Sequence, residues 1–216
     1  MLLPVLYSFR RCPYAMRARM TLCAASITVE LREVFLRDKP EEMLQLSAKG
    51  TVPVLAFDEM VLEQSLDIMY WALGQSDPKG WLREDLTEPT QALIDKNDGY
   101  FKTHLDQYKY WDRYPAESQQ HYREQGEEFL ALLEANLQLH RYLLADEPTL
   151  ADIAIFPFIR QFAFVDKDWF DGSQYHRLRQ WLQYFLESPL FMQSMVKQRP
   201  WRAGDQPKYF PADPQA

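Results

Sequence analysis

The chain is poor in cysteine and glycine and carries no surplus of positive charge. Two cysteines, Cys12 and Cys23, among 216 residues cannot form a disulfide framework, and a reducing compartment would keep both as thiols. Seven glycines, with no Gly-x-Gly-x-x-Gly, Walker-type or Gly-x-Ser-x-Gly pattern, remove the simplest nucleotide-binding and serine-hydrolase readings. A net charge of −7 argues against nucleic acid as a partner, because neutralising phosphates takes a basic face. The four histidines, His104, His121, His140 and His176, are scattered with no cysteine at zinc spacing, so no metal site is expected. Apolar stretches such as Ile153 to Ile159 fall far short of the roughly 18–20 residues that span a bilayer. Met1-Leu2-Leu3-Pro4 lacks a basic, signal-like start, so the expectation is a cytoplasmic protein with no membrane association.

What is present is material for a core. Hydrophobic residues make up 47% of the chain and aromatics 14%, enough for one large domain or two small ones. Leu3 to Phe9 suits a short buried strand, and Pro13 to Ala25 favours a helix with proline at its first position, where the missing N–H costs nothing. Thr28 to Phe35 alternates as a second strand, and Pro40-Glu-Glu-Met-Leu-Gln-Leu offers a short helix with an acidic first turn. Thr51 to Phe57 and Val61-Leu62 read as a hairpin, interrupted by Pro53; a bulged or cis Val52-Pro53 bond would accommodate it. Ser65 to Leu73 has helical spacing and stops at Gly74. The order βαβαββα predicts an α/β domain over residues 1–74, followed by a polar linker over 75–87.

Residues 88–216 change character, and the pattern predicts an all-helical domain. Helices are expected over Glu88–Tyr110, Glu117–Leu144, Thr149–Phe164, Gln174–Leu186 and Pro189–Lys197, with an irregular proline-rich tail after Pro200. Thr149-x-x-Asp152 before an apolar run is a capping-box pattern, which explains Asp152 as a folding device.

The chemistry centres on Cys12. A cysteine between a strand and a helix-opening proline sits where unpaired N–H groups and the helix dipole both favour an anion. Thiols in such sites titrate at about 3.5–7.5 instead of about 8.5, and Arg10, Arg11 and Arg17 would help stabilise the thiolate if they point inward. The plain alternative is a small buried hydrophobe. Cys23, on the interior stripe with Met16, Met20 and Ile27, fits that plain description.

Cys12-Pro13-Tyr14-Ala15, Val52-Pro53, Gln64-Ser65 and Thr149-Leu150-Ala151-Asp152-Ile153-Ala154 together resemble the cysteine-type glutathione transferases, across nearly the whole chain. The style is closest to the omega class and to two-domain glutaredoxins. The resemblance implies a thioredoxin-like N-terminal domain joined to a helical C-terminal domain. It also implies glutathione as cosubstrate, and a small electrophilic or disulfide substrate as acceptor. Two-domain glutaredoxins keep a second cysteine where this chain has Ala15, so the implied chemistry is monothiol: a mixed disulfide with glutathione, resolved by a second glutathione. Tyr7 lies upstream of the helix start, which makes a tyrosine-type conjugating enzyme a poorer match.

By the same resemblance, the Val52 backbone, held by a cis Pro53, would pair with the cysteinyl part of glutathione. Gln64 and Ser65 would take the γ-glutamyl end, with Glu63 pointing elsewhere, and Lys39 would reach the glycine carboxylate. An acceptor pocket would lie between the domains, lined by Tyr14 and by Tyr100, His104, Tyr108 and Trp111, whose spacings of four, four and three place them on one helix face. The resemblance implies a homodimer, although two-domain glutaredoxins also occur as monomers. Two other readings share the fold: a non-catalytic interaction module of the stringent-starvation type, and a redox sensor in which Cys12 is only oxidised or glutathionylated.

Overall fold

Alternation in the first strand decides the architecture. In β1 (Val5–Ser8), Leu6 and Tyr7 point to opposite faces and both are buried. In the computed structural model, which describes residues 3–211, β1 leads through a tight turn into α1 (Pro13–Ala24), which returns the chain to β2 (Val29–Glu33), parallel to β1. Then follow α2 (Glu41–Leu46), the hairpin β3 (Val54–Phe57) and β4 (Met60–Leu62), and α3 (Ser65–Gln75). β3 runs antiparallel to β1, with Tyr7 opposite Val54. Leu6, Leu31 and Leu55 pack on one face with Ala18 and Leu22 of α1 and Ile68 and Ala72 of α3. Tyr7, Val34, Val52 and Val54 gather on the other with Met43 of α2. The expected βαβαββα order is present, and the Val52-Pro53 bond is cis.

The helical part comprises α4 (Thr87–Lys96), α5 (Lys102–Lys109), α6 (Gln119–Leu139), α7 (Leu150–Ala163), α8 (Lys167–Gly172) and α9 (His176–Leu186). A π turn over Asn97–Phe101 joins α4 to α5. α7 is the core helix, buried continuously from Leu150 to Ile159, and its start carries the expected capping box between Thr149 and Asp152. Buried Asp152 also accepts hydrogen bonds from the Leu143 N–H (3.0 Å) and the Trp181 indole (2.8 Å). α6 ends at Leu139, short of the expected Leu144, because Asp146 and Asp152 draw the Arg141 and Leu143 N–H groups out of helical register. α8 was not anticipated; its signal is Asp166, whose side chain caps the Trp169 N–H.

The end of the described chain departs most from expectation. The chain forms two compact units: Gly80–Glu187 is one, and the residues through Lys79 together with those from Ser188 on form the other. The segment assigned from sequence to the helical domain therefore belongs with the sheet. α10 (Pro189–Ser194) packs on α1. The proline-rich tail, expected to be irregular, supplies β5 (Tyr209–Phe210), which pairs antiparallel with β2 and gives the strand order β4-β3-β1-β2-β5. The reason is an apolar pair between prolines: Phe210 enters the core under the Arg19 guanidinium, 4.8 Å from its ring centroid.

One buried ion pair organises this unit. Arg19 of α1, 0% exposed, donates from Nη1 to Glu33 Oε2 at 3.1 Å. Glu33 Oε1 accepts the Arg10 N–H at 2.8 Å, Arg19 Nη2 reaches the Val196 carbonyl at 3.4 Å, and the Glu33 carbonyl accepts the Trp201 N–H at 2.8 Å. Burial raises the Glu33 carboxyl against the pull of Arg10 and Arg19.

Two stability predictions follow from these contacts. Glu33→Ala strands a buried guanidinium and is expected to cost about 3–5 kcal/mol in urea unfolding. Gly126→Ala on α6 would ordinarily favour a helix. Here a Cβ would lie 2.5 Å from Phe162, whose ring is fully buried, so a loss of about 1–3 kcal/mol is expected instead.

Candidate functional site

The residues singled out in the first unit meet at one end of its sheet. Cys12 follows the carboxyl end of β1, Lys39 follows that of β2, Val52-Pro53 precedes antiparallel β3, and Ser65 opens α3 just after β4. Cys12 occupies the cap position of α1 in extended conformation, with Pro13 as the first helical residue. Its N–H is held by the Phe9 carbonyl (2.9 Å), and its Sγ lies 3.6 Å from the Val52 carbonyl oxygen. Val52 is buried outside the ladder, and its N–H donates no backbone hydrogen bond among the described residues.

Ser65 is buried at the start of α3, where the first N–H groups have no helical partner. Its Oγ accepts a hydrogen bond from Arg17 Nε at 3.0 Å, and Arg17 is only 2% exposed. This link between α1 and α3 was not foreseen; the visible signal was Arg17, one of two arginines in a largely apolar helix. Gln64 is exposed at the cap position of α3, and Glu63 points away, accepting from the Ser47 hydroxyl at 2.5 Å. Lys39 folds over Gly50, where an added Cβ would lie 3.5 Å from its Nζ; Gly50 has φ +58 in the turn that leads to Val52.

Of the three arginines expected to help the thiolate, Arg17 holds Ser65, and the guanidinium groups of Arg10 and Arg11 have contacts of their own. The Arg10 guanidinium donates to the Met195 carbonyl at 3.3 Å, and exposed Arg11 lies over the Phe9 ring at 5.4 Å. Tyr7 is buried with its hydroxyl accepting from Arg32 Nη1 (2.7 Å), and burial raises its phenol above the ordinary value. Cys23 is 8% exposed and burial pushes its thiol up to about 12.

The predicted acceptor residues separate. Tyr14 is half-buried beneath the Arg17 guanidinium (5.1 Å) in the first unit. In the helical unit, α5 stops at Lys109, so Trp111 falls outside the helix that carries His104 and Tyr108. Tyr100 is exposed, donating to Glu128 (2.7 Å) and touching the half-buried His104 ring at 4.5 Å. Trp111 is exposed on a 3-10 turn, whereas Tyr108, 2% exposed, is packed against Phe162. Tyr108 is therefore core and not a wall of an open pocket. Among the described residues there is no cluster of three metal-ligating side chains, and no helix is long and apolar enough to cross a membrane.

Two family models match the chain: glutathione S-transferase, N-terminal domain, over residues 6–80, and glutathione S-transferase, C-terminal domain, over residues 111–183. A probable glutathione transferase from Aplysia californica is 32% identical over 85 residues, 39% of this chain and 92% of that protein. Glutaredoxin 2 of Escherichia coli (strain K12) is 30% identical over 96 residues, 44% of each chain. A glutathione transferase family member from Pseudomonas fluorescens, crystallised with two glutathione bound, shares the fold with a TM-score of 0.78 at 17% identity, over 89% of this chain and 92% of that one.

The contrast between the thiols is directly measurable. Iodoacetamide at neutral pH is expected to label the native protein once, at Cys12, and to reach Cys23 only in denaturant, as read by peptide mass spectrometry.

Proposed function

The chain belongs to the glutathione S-transferase family, and we propose that it is a glutathione-dependent thiol transferase in which Cys12 works alone. The observation that carries this reading is the position of Cys12 at the cap of α1, with fully buried Ala15 where a resolving thiol would stand and Cys23 inert in the core. A thiolate at Cys12 is met by the unpaired N–H groups of the helix start and by the positive end of the helix. Arg10 and Arg11, beside it in the chain, contribute positive potential.

Glutathione fits the donors around this thiol. The buried, unpartnered Val52 N–H calls for an acceptor, and the cysteinyl carbonyl of an extended tripeptide is one. The γ-glutamyl carboxylate would sit on the N–H groups at the start of α3 beside Ser65, with the Arg17 charge behind the hydroxyl and Gln64 at the amine. Lys39 would take the glycine carboxylate. In the first step the Cys12 thiolate attacks the glutathionyl sulfur of a mixed disulfide, forming a Cys12–glutathione disulfide and expelling the acceptor thiolate, which takes up a proton. In the second, a glutathione thiolate attacks that disulfide, glutathione disulfide leaves, and the Cys12 thiolate is restored.

Cys12→Ala is expected to lower glutathione-dependent reduction of a small mixed disulfide to background, with Cys23→Ala near the parent rate. The parent treated with glutathione disulfide should carry one glutathione on the Cys12 peptide. Retained turnover in Cys12→Ala would overturn the reading.

A further inference from the structure

A second cavity, of about 360 Å³, opens on the other flank of the Cys12 turn. Its walls come from the β1–α1 turn (Phe9, Arg10, Arg11), from the end of β2 and the two residues beyond it (Glu33, Val34, Phe35), and from the returning segment (Lys197, Gln198, Pro200). All of these belong to one unit, and Arg11 is bonded directly to Cys12. Val52 and Ser65, by contrast, lie on the β3 side of β1, and none of Lys39, Val52 and Ser65 lines the cavity.

The lining has an uneven charge balance. Arg10, Arg11 and Lys197 bring three cations, and none of them is in an ion pair among the described residues. The Arg11 guanidinium lies over the Phe9 ring, and the Arg10 guanidinium spends one N–H on a carbonyl. The one carboxylate, Glu33, is already held by Arg19 and the Arg10 N–H. Phe9, Val34 and Phe35 supply an apolar floor. A pocket with unspent cations above an apolar surface suits a short hydrocarbon chain ending in an acid group.

We propose that this cavity seats the carboxylate of the acceptor, so that the enzyme prefers mixed disulfides whose leaving thiol carries a short carboxylate arm. This rests on the reading of Cys12 given above. Attack by the Cys12 thiolate on the glutathionyl sulfur breaks the disulfide and releases the carboxylate-bearing thiolate, which takes up a proton as it leaves; no other reactant is needed.

The test compares two probes, the mixed disulfides of glutathione with 3-mercaptopropionate and with neutral 2-mercaptoethanol. The parent should show a higher kcat/KM for the acid. That preference should fall about fivefold in Lys197→Ala, fall further in Lys197→Glu, and be restored in Lys197→Arg. A preference unchanged in folded Lys197→Glu would overturn the proposal. Calorimetry on Cys12→Ser separates binding from chemistry, using unreactive S-(carboxyethyl)glutathione and its amide. Tighter binding of the acid, lost in the added Lys197→Glu, supports the cavity; equal affinity for acid and amide overturns it, whether or not Cys12 turns over. Failure of the Cys12 reading shows separately, as turnover that survives Cys12→Ala.

Discussion

The buried pair between Arg19 and Glu33 is the contact on which the first unit depends. Glu33 fastens the β1–α1 turn through the Arg10 N–H, while Arg19 fastens the returning segment through the Val196 carbonyl. Both side chains are almost fully removed from water, so the pair is poor compensation for its own desolvation. Its value is geometric. Each additional hydrogen bond satisfies a charge already buried, and each fixes a different piece of backbone relative to α1. The turn that presents Cys12 is one of those pieces.

The candidate site divides its tasks between backbone and side chains. The thiol position comes from a strand end, a proline at the first helical residue and a hydrogen-bonded turn, none of which requires a neighbouring base. On the proposed reading, recognition would rely on backbone and side-chain donors instead: an N–H at Val52 outside the ladder, the opening of α3, and Ser65 held by Arg17. Rigid donors of this kind lose little entropy when a ligand arrives, whereas Lys39 is a long, exposed side chain with more freedom to lose.

Much of this was legible from local pattern. A short apolar run marked β1, alternation marked β2, Pro13 marked the start of α1, and Thr149 with Asp152 marked α7, because each signal and its structural consequence lie within a few residues. What escaped depended on contacts far apart in the chain. Arg10 and Arg11 adjoin Cys12 in sequence, yet the partner that turns Arg10 aside is Met195. Tyr209-Phe210 has strand propensity, but only the exposed flank of β2 makes it a strand. Tyr108 is core because it meets Phe162 of α7, far along the chain, whereas α5 stops at Lys109 and leaves Trp111 outside the helix.

The position of β5 bears on how the protein is made. The sheet begins within the first ten residues, but the strand that closes its β2 flank lies at Tyr209–Phe210, with the entire Gly80–Glu187 unit encoded between them. During synthesis, β2 must wait with one row of backbone donors and acceptors unmatched until nearly all of the described chain has left the ribosome. The helical unit, continuous in sequence, can assemble in that interval. Protection of an unfinished sheet edge is thus a requirement on the nascent chain, set by topology and independent of the thiol chemistry.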